Sequence, residues 1–546
     1  MAQSSGLSGR VTDANAKWFT LVAACFALFM AILDNLVVNI ALPTISRELS
    51  ATTTQLQWVV SAYTLIFASL QITAGGLGDR FGRRRWFMAG LAFFTLTSFL
   101  AAFSNSMEML IAMRALQGLG AAFIMPLSLS LISAAFPPEE RGRAVGIWSA
   151  ISVSGVALGP IVGGAIVEYA SWEWIFLINV PIGIIALIVT MAVVRESKDE
   201  SGTVATDIPG TLLITAFIAS LTWGLIEAGE RGWTDTYILI AFGVAAVIFP
   251  IFIWVELRSD RPMIPLHFFR SRTFTGANID SFFISFLITG VAFFMTLYQQ
   301  NVHGFSAIKT GLALLPMVLV MMVFSPISGS MINRLGPRKL LTFGMLVTGF
   351  GTLLLLLAGV DASYYRILPS FIVMGFGMSF IWAPMTTAVL NSVPSDKSGV
   401  ASAINGSLRE VGTAFGIALL GTLANRAYQD YFRSSPDLQQ AAQGASEPVQ
   451  GLIALIGSGM NFGGQVVNGI AAEIGIVDER LATIQSVSAE AFMRGMDRAV
   501  IFSGVAILIA GIVSYFMIDD EAVLKTAEER EEERSVDGSI AQSIAD

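Results

Sequence analysis

Cysteine is nearly absent from this chain. Of 546 residues only Cys25 carries a thiol, so a disulfide within the chain is excluded, and Cys25, inside the first long apolar run, reads as packing. Histidine is almost as scarce, with His267 and His303 far apart in sequence. No Cys/His cluster suggests a metal site, and no Gly-Lys-Ser/Thr phosphate loop occurs, so the chain carries no ATP-driven motif of its own. Charge is scarce too: 13% of residues are Asp, Glu, Lys or Arg, against 54% hydrophobic and a mean hydropathy of +0.69. Soluble domains are about a quarter charged, so the bilayer is the main solvent here. The net charge of −8 sits largely in the tail 519–546 and describes no nucleic-acid surface. The first seventeen residues are polar. The apolar run after them is too long for a signal-peptide core and has no clear cleavage site, so it reads as a retained span.

What the chain has is apolar runs. About fourteen are long enough to cross a hydrocarbon core of roughly 30 Å. They fall near 18–42, 55–77, 86–103, 108–136, 144–167, 173–194, 208–228, 236–256, 275–299, 305–330, 339–359, 365–391, 399–424 and 497–517. Basic residues alternate between the connecting loops. Arg80, Arg83, Arg84 and Arg85, then Arg141 and Arg143, Arg195 and Lys198, Arg258, Arg261, Arg270 and Arg272, and Arg334, Arg338 and Lys339 all fall in even-numbered loops. The short odd-numbered loops carry only Arg47, Arg231 and Arg366, with Lys309 at a border. The positive-inside rule then puts both termini in the cytoplasm.

An internal repeat organises the spans. GGLGDRFGRR at 75–84 matches GSMINRLGPR at 329–338, pairing Gly75 with Gly329, Asp79 with Asn333, Arg80 with Arg334, Gly82 with Gly336 and Arg84 with Arg338. Both strings follow the second span of a six-span block. The expected fold is an all-α membrane protein of fourteen transmembrane helices. Two six-helix halves, spans 1–6 and 9–14, carry two extra helices inserted between them, an architecture suited to a central transport site. The expected divisions are a cytoplasmic N-terminus 1–17, a first bundle 18–194, an inserted unit 195–274, a second bundle 275–517 and an acidic cytoplasmic tail 518–546. The outer segment 425–496 is long, and its Gly-rich part 447–475 suggests two interfacial or re-entrant helices. The EEREEER string at 528–534 reads as a solvated helix or a disordered stretch.

Intramembrane charges are the candidate functional groups. Asp34 is the only formal charge between Trp18 and Leu42. An ionised carboxylate there costs several kcal/mol, so it needs a partner, a proton or both. Asp34 lies about eight residues, roughly 12 Å, from the outer end of its span, and Arg114 lies roughly 9 Å deep in span 4. The two therefore share a depth. Burial opposes the charge on Asp34 and a nearby arginine favours it; the alternative is a static ion pair. Arg409 and Glu410 fall near the midplane of span 13, and Asp280 falls a turn or so into span 9. Each reads either as a functional charge or as half of a local salt bridge.

Four strings resemble a known family. Gly75, Asp79, Arg80, Gly82, Arg83 and Arg84 form a tight turn that is similar to motif A of the major facilitator superfamily, which implies a cytoplasmic gate. Asn333 replaces the acid in the second copy, so the charged lock is expected in the first. LDNLVVNIALP at 33–43 resembles the first-helix signature of the fourteen-span drug:proton antiporter subfamily, with Leu36 where threonine is usual. LIAMRALQGLGAA at 110–122, holding Arg114 and Gln117, resembles motif B, whose arginine is tied to proton transfer. GVALGPIVGG at 155–164, with Gly155, Gly159, Pro160, Gly163 and Gly164, resembles the antiporter marker motif C and points to export. Its glycines alone would mean only close helix contact. In WEWIFLINVP at 172–181 Glu173 stands where arginine is usual, and ASAINGSLREVGTAFG has Glu410 where glutamine is common.

The resemblance implies a proton-coupled multidrug antiporter of the bacterial inner membrane. It would export amphipathic, cationic compounds by alternating access, and would use the proton gradient and no cofactor. Asp34 and Arg114 are the expected coupling pair. The expected substrate cavity is lined by Asn35, Trp58, Tyr63, Gln117, Trp148, Asp280, Phe293, Tyr298, Phe380, Trp382, Arg409 and Glu410, where aromatic rings suit flat lipophilic cations; for any one ring the alternative is packing or lipid contact. Expected partners are substrate, protons and membrane lipids. Two other functions fit the pattern. One is export of a lipid or another endogenous amphiphile, with segment 425–496 meeting an envelope partner protein. The other is a non-transporting receptor or scaffold.

Overall fold

The computed structural model describes residues 13–49, 53–198, 207–259, 262, 264–394, 397–460 and 464–520. Among them every regular element is helical. A chain this apolar has no water to satisfy its backbone, so each span closes its own hydrogen bonds as helix. The first block comprises α1 (Asp13–Glu48), α2 (Thr53–Phe81), α3 (Arg83–Ala101), α4 (Met107–Ala135), α5 (Pro138–Tyr169), the short α6 (Trp174–Leu177) and α7 (Asn179–Val193). Then come α8 (Ile208–Arg231) and α9 (Thr236–Arg258). The second block comprises α10 (Arg272–Leu297), α11 (Ala307–Leu335), α12 (Pro337–Leu353), α13 (Tyr364–Ser379), α14 (Trp382–Asn391), α15 (Ser398–Ser434), three short helices α16 (Pro436–Ala442), α17 (Glu447–Ile456) and α18 (Val466–Glu473), and finally α19 (Leu481–Met517). Helix starts follow the sequence: Ser106, Asp207, Asp235, Ser271 and Ser306 each accept from a backbone amide two or three residues on.

All fourteen apolar runs fall on helix. Eleven helical stretches among the described residues are long and apolar enough to cross a membrane. The runs in α3, α5 and α15 fall outside that set. α3 opens on three arginines, and α15 carries Arg409 and Glu410 within a polar composition.

The blocks meet along two seams. On one, α5 packs along α11; on the other, α2 packs along α15. The α8–α9 hairpin covers the second seam. α8 touches both α2 and α15, with Thr73 Oγ1 3.1 Å from Thr215 Oγ1 and Trp233 Nε1 donating to Thr422 Oγ1 at 2.9 Å. α9 packs chiefly on α8 and leaves its other face exposed.

Segment 425–496 forms a packed helical cap. α15 and α19 are 37 residues each, about 55 Å long, well beyond a 30 Å core. α16 to α18 fold against these extensions. Tyr428 Oη donates to the Ile456 carbonyl at 2.9 Å, Met460 N to Asn425 Oδ1 at 3.0 Å, and Tyr431 Oη to Glu490 Oε2 at 2.6 Å. Val449, Leu452, Ile456 and Val467 are buried beneath. The short helices anticipated in 447–475 are present as α17 and α18. The N-terminal residues 1–12 and the tail beyond Asp520, with its EEREEER string, lie outside the described residues.

Candidate functional site

Asp34 is 1% exposed, in the middle of α1. Three side chains from two other helices reach it. Arg114 Nη1 donates to Oδ2 at 2.5 Å, Gln117 Nε2 to Oδ1 at 2.8 Å and Asn179 Nδ2 to Oδ1 at 2.7 Å. Arg114 and Gln117 lie one turn apart on α4, so they share a face, and Gln117 Oε1 accepts a second bond from Arg114 at 2.7 Å. Arg114 is fully buried. Its Nε donates to the Val59 carbonyl at 3.2 Å, and its guanidinium lies 4.3 Å from the Tyr63 ring centroid. Asn179 is pinned through Ser98 Oγ at 2.9 Å, and Ser98 donates to the Phe176 carbonyl at 2.9 Å. Two buried polar atoms in this cluster, Arg114 Nη2 and Asn179 Oδ1, make no hydrogen bond. The cluster thus holds one carboxylate, one cation, and a spare donor and acceptor beside them.

A second charged cluster sits at the arginine-rich end of the bundle. Gly82 adopts φ 116°, a left-handed conformation that lets α2 turn directly into α3. Asp79 is 2% exposed and receives Arg83 Nε at 2.8 Å. Its oxygens also accept Gly399 N at 3.0 Å and Val400 N at 2.8 Å, the first amides of α15. A carboxylate at a helix N-terminus satisfies orphan donors and complements the helix dipole. Here that bond joins the first block to the second. Backbone contact is close beside it, since a Cβ on Gly75 would sit 2.5 Å from the Gly399 carbonyl oxygen. Arg141, counted in the sequence as a loop charge, is 1% exposed and makes a further bond between the blocks. Nη1 donates to Asn391 Oδ1 at 3.1 Å, at the C-terminus of α14, while Nη2 donates to the Ser133 carbonyl at 2.8 Å. Ser130 Oγ and Ser398 Oγ, 3.0 Å apart, add a third.

The α2–α3 turn has a strap that its own sequence does not announce. Glu196, after α7, accepts Arg84 N at 3.0 Å and Arg85 N at 3.2 Å and so caps α3. Asp520, after α19, accepts Arg338 N at 2.8 Å and caps α12 in the second block. Burial pushes the Asp520 carboxyl above its ordinary range, against the Arg338 amide and Lys339, which favour its charge. Arg80 lies on α2 beside Asp79, lining a surface recess with Lys397, and Arg84 Nη2 donates to the Met191 carbonyl at 2.8 Å.

At mid-depth on the seam, Arg409 Nη2 donates to Met125 Sδ at 2.8 Å and its guanidinium lies 5.6 Å from the Trp382 ring centroid. Glu410 follows on the same helix and lies within electrostatic range of Tyr63. The glycines of α5 face α1: a Cβ at Gly155 would meet Ile32 at 3.0 Å, and one at Gly159 would meet Leu36 Cβ at 2.8 Å. Gly163 is buried and Gly164 half-buried; the side chain of Pro160 lies outside the described residues. Asn35 and Trp58 are half-buried, and Phe293 is 37% exposed. The other expected cavity residues are dispersed. Trp148 is buried and donates to Ser128 Oγ at 3.1 Å, Tyr298 is buried and donates to the Gly359 carbonyl at 2.9 Å, and Phe380 packs 5.1 Å from Phe376. Asp280 is 1% exposed and faces Ser514 of α19, with its Oδ2 making no hydrogen bond.

With this geometry in view, the comparisons decide the family. The Major Facilitator Superfamily profile matches residues 24–417. The chain belongs to the Major Facilitator Superfamily. A tetracenomycin C resistance and export protein of Streptomyces glaucescens is 33% identical over 520 residues, covering 94% of this chain and 93% of that protein. The multidrug resistance protein Stp of Mycobacterium tuberculosis is 36% identical over 405 residues, 74% of this chain and 75% of that one. In fold, the proton:xylose symporter XylE superposes with a TM-score of 0.61 at 15% identity, over 95% of this chain and 99% of that one. This superfamily member is therefore a multi-pass membrane transporter, not an enzyme, and antibiotic and multidrug resistance proteins are among its relatives.

Reading the sequence alone missed Asn179, Ser98, Glu196, Asp520 and the bridging role of Arg141. Only Asn179 left a signal, since it falls inside the noted WEWIFLINVP string.

Proposed function

We propose that this transporter is a fourteen-span, proton-coupled drug antiporter of the plasma membrane. It exports amphipathic compounds, cationic ones among them, with both termini in the cytoplasm. The observation that carries the reading is the Asp34 cluster: one fully buried carboxylate held by a single cation and two amides. Protonation of Asp34 removes the charge that holds Arg114. The guanidinium then leans on Gln117, the Val59 carbonyl and the Tyr63 ring, all of which remain. Tyr63 lies on α2, the helix that also carries Asp79. A change at Arg114 therefore acts on the helix whose far end bonds α15, and a protonation can bias which end of the bundle is open.

In the state described, the contacts of Asp79, Ser130 and Arg141 close the arginine-rich end. Under the positive-inside reading that end is cytoplasmic and the state is outward-facing. Opening inward breaks the bonds of Asp79 to Gly399 and Val400. Loading a proton from outside, exchanging it for substrate and releasing it inside completes the cycle.

The test is proton flux in proteoliposomes holding the full chain, with an imposed pH gradient and a panel of lipophilic cations, neutral drugs and lipids. Dissipation of the gradient on adding drugs supports the reading. Drug movement without proton flux refutes the coupling, and flux with lipids alone makes the chain a lipid exporter.

A further inference from the structure

Arg409 and Glu410 are consecutive on α15, at mid-depth on the seam between the blocks. Successive helical residues point about 100° apart, so the two charges face different neighbours. Among the described residues neither makes an ion-pair contact, although each charge acts on the other through space. Arg409 has five N–H donors, and one of them goes to the Met125 thioether, a weak acceptor. Glu410 accepts no hydrogen bond from a described residue. Both side chains remain partly exposed at a depth where most neighbours on α15 are buried.

The groups around them are also unfilled. Gln71, on α2, is fully buried; its Nε2 reaches the same Met125 Sδ at 3.5 Å, while its Oε1 makes no hydrogen bond. Trp382 Nε1 is a buried donor with no acceptor, on a ring that Arg409 overlies at 5.6 Å. Buried polar atoms are rarely left unpaired. Four polar side chains around one aromatic face thus leave donors or acceptors that a ligand could use.

We infer that this site takes flat aromatic amphiphiles that carry an acidic acceptor group as well as a basic nitrogen. The acceptor, a carboxylate or a keto-enolate, takes two parallel N–H bonds from Arg409 in place of the Met125 thioether. The ring lies against Trp382, and the basic nitrogen faces Glu410. The inference rests on the export reading and adds to it: a cation alone would make no bond to Arg409 and would meet its like charge. Displacing Met125 also breaks a mid-depth hydrogen bond between the blocks, so the acceptor group is the part of the ligand that acts on their separation.

Three matched fluorescent probes test this: norfloxacin, a zwitterion at neutral pH, its ethyl ester, which keeps only the cation, and N-acetyl-norfloxacin, which keeps only the anion. Binding is measured by fluorescence titration on the purified full chain. The wild type should prefer norfloxacin over each single-charge probe by about tenfold, as expected of one charge-assisted bond. Arg409→Gln should erase the preference over the ester by weakening norfloxacin, with the ester bound at least as tightly as by the wild type because its like charge is gone. Glu410→Gln should do the same for the N-acetyl probe, so each variant reports its own folding through the probe it still binds. Equal binding of the three probes by the wild type, tightest binding of the ester, or no binding of any overturns the inference. Proton flux with a lipophilic cation is measured on the same preparation. Flux without the zwitterion preference overturns this inference alone, and the preference without flux overturns the export reading alone.

Discussion

The two blocks carry the same turn, but the residues at its acidic position are placed differently. In both, a glycine with positive φ, Gly82 at 116° and Gly336 at 78°, joins the second helix to the third. In both, an acid delivered by the chain just after the last helix of the block caps that third helix: Glu196 on α3 and Asp520 on α12. Any other residue at either glycine would strain the backbone, and its Cβ would push the capping carboxylate aside. The difference lies three residues before each glycine. Asp79 is buried against α15, whereas Asn333 is exposed. The repeat therefore separates two roles that the motif mixes. Glycine and cap build the turn, and the aspartate joins the blocks.

The first helices of the two blocks show a similar contrast. Each carries a buried acid, Asp34 on α1 and Asp280 on α10. Asp34 has a cation and two amides. Asp280 faces Ser514 and, among the described residues, no cation.

Making the first turn like the second should have the largest effect. Asp79→Asn should slow transport by about tenfold or more, since hydrogen bonds to a charged group contribute about 1.5–3 kcal/mol each. Substrate affinity should stay within a few fold. Loss of affinity with normal turnover of bound substrate would remove Asp79 from the gate. The reverse change, Asn333→Asp, should alter transport little, as surface substitutions rarely exceed about 0.5 kcal/mol. Next in size is Arg141→Gln, which keeps donors for Asn391 and the Ser133 carbonyl but loses the cation at the α14 C-terminus. It should slow transport less than Asp79→Asn and add to it in the double variant; a double variant no slower than Asp79→Asn alone would show that Arg141 carries no separate contact.

Asp280→Asn should leave proton-coupled transport near the wild-type level, because no cation among the described residues answers that acid. A loss as deep as that of an Asp34 variant would make Asp280 a coupling site. The smallest effects belong to the caps. Glu196→Ala and Asp520→Ala should each lower thermal stability by about 0.5–2 kcal/mol with transport nearly unchanged. A carboxyl whose value is raised on folding stabilises most below its ordinary range, and that contribution is lost as pH rises. The wild type should therefore lead Asp520→Asn in melting temperature by more in acid than in mildly alkaline buffer. An equal lead in both buffers would show that Asp520 titrates as it does in the unfolded chain.

Much of this was legible in the sequence. Apolar runs must be helical in a bilayer, so each run falls on helix, and eleven helical stretches among the described residues are long and apolar enough to cross. The repeat showed because ten residues are copied in place, and Asp34 and Arg114 could be matched by depth along their helices. What stayed hidden is what crosses the fold. Asn179 and Ser98 are small polar residues like many others in these spans. Glu196 and Asp520 act on turns 112 and 182 residues away. Arg83 and Arg141 were counted as loop charges, yet both are buried, because each finds acceptors at an end of another helix. The extensions of α15 and α19 beyond the length of a span are more polar, and they pack on each other and on the cap helices, which no single stretch of sequence shows.

The most direct test of the account is Asp34→Asn in proteoliposomes. The amide keeps the shape of the carboxyl, and Arg114 retains Gln117, the Val59 carbonyl and the Tyr63 ring, so the variant should fold and bind substrate. Substrate exchange between two equal pools should persist, while uphill export driven by a pH gradient and proton release on binding should both vanish. Uphill export by Asp34→Asn at the wild-type rate would contradict the account and place the coupling proton elsewhere.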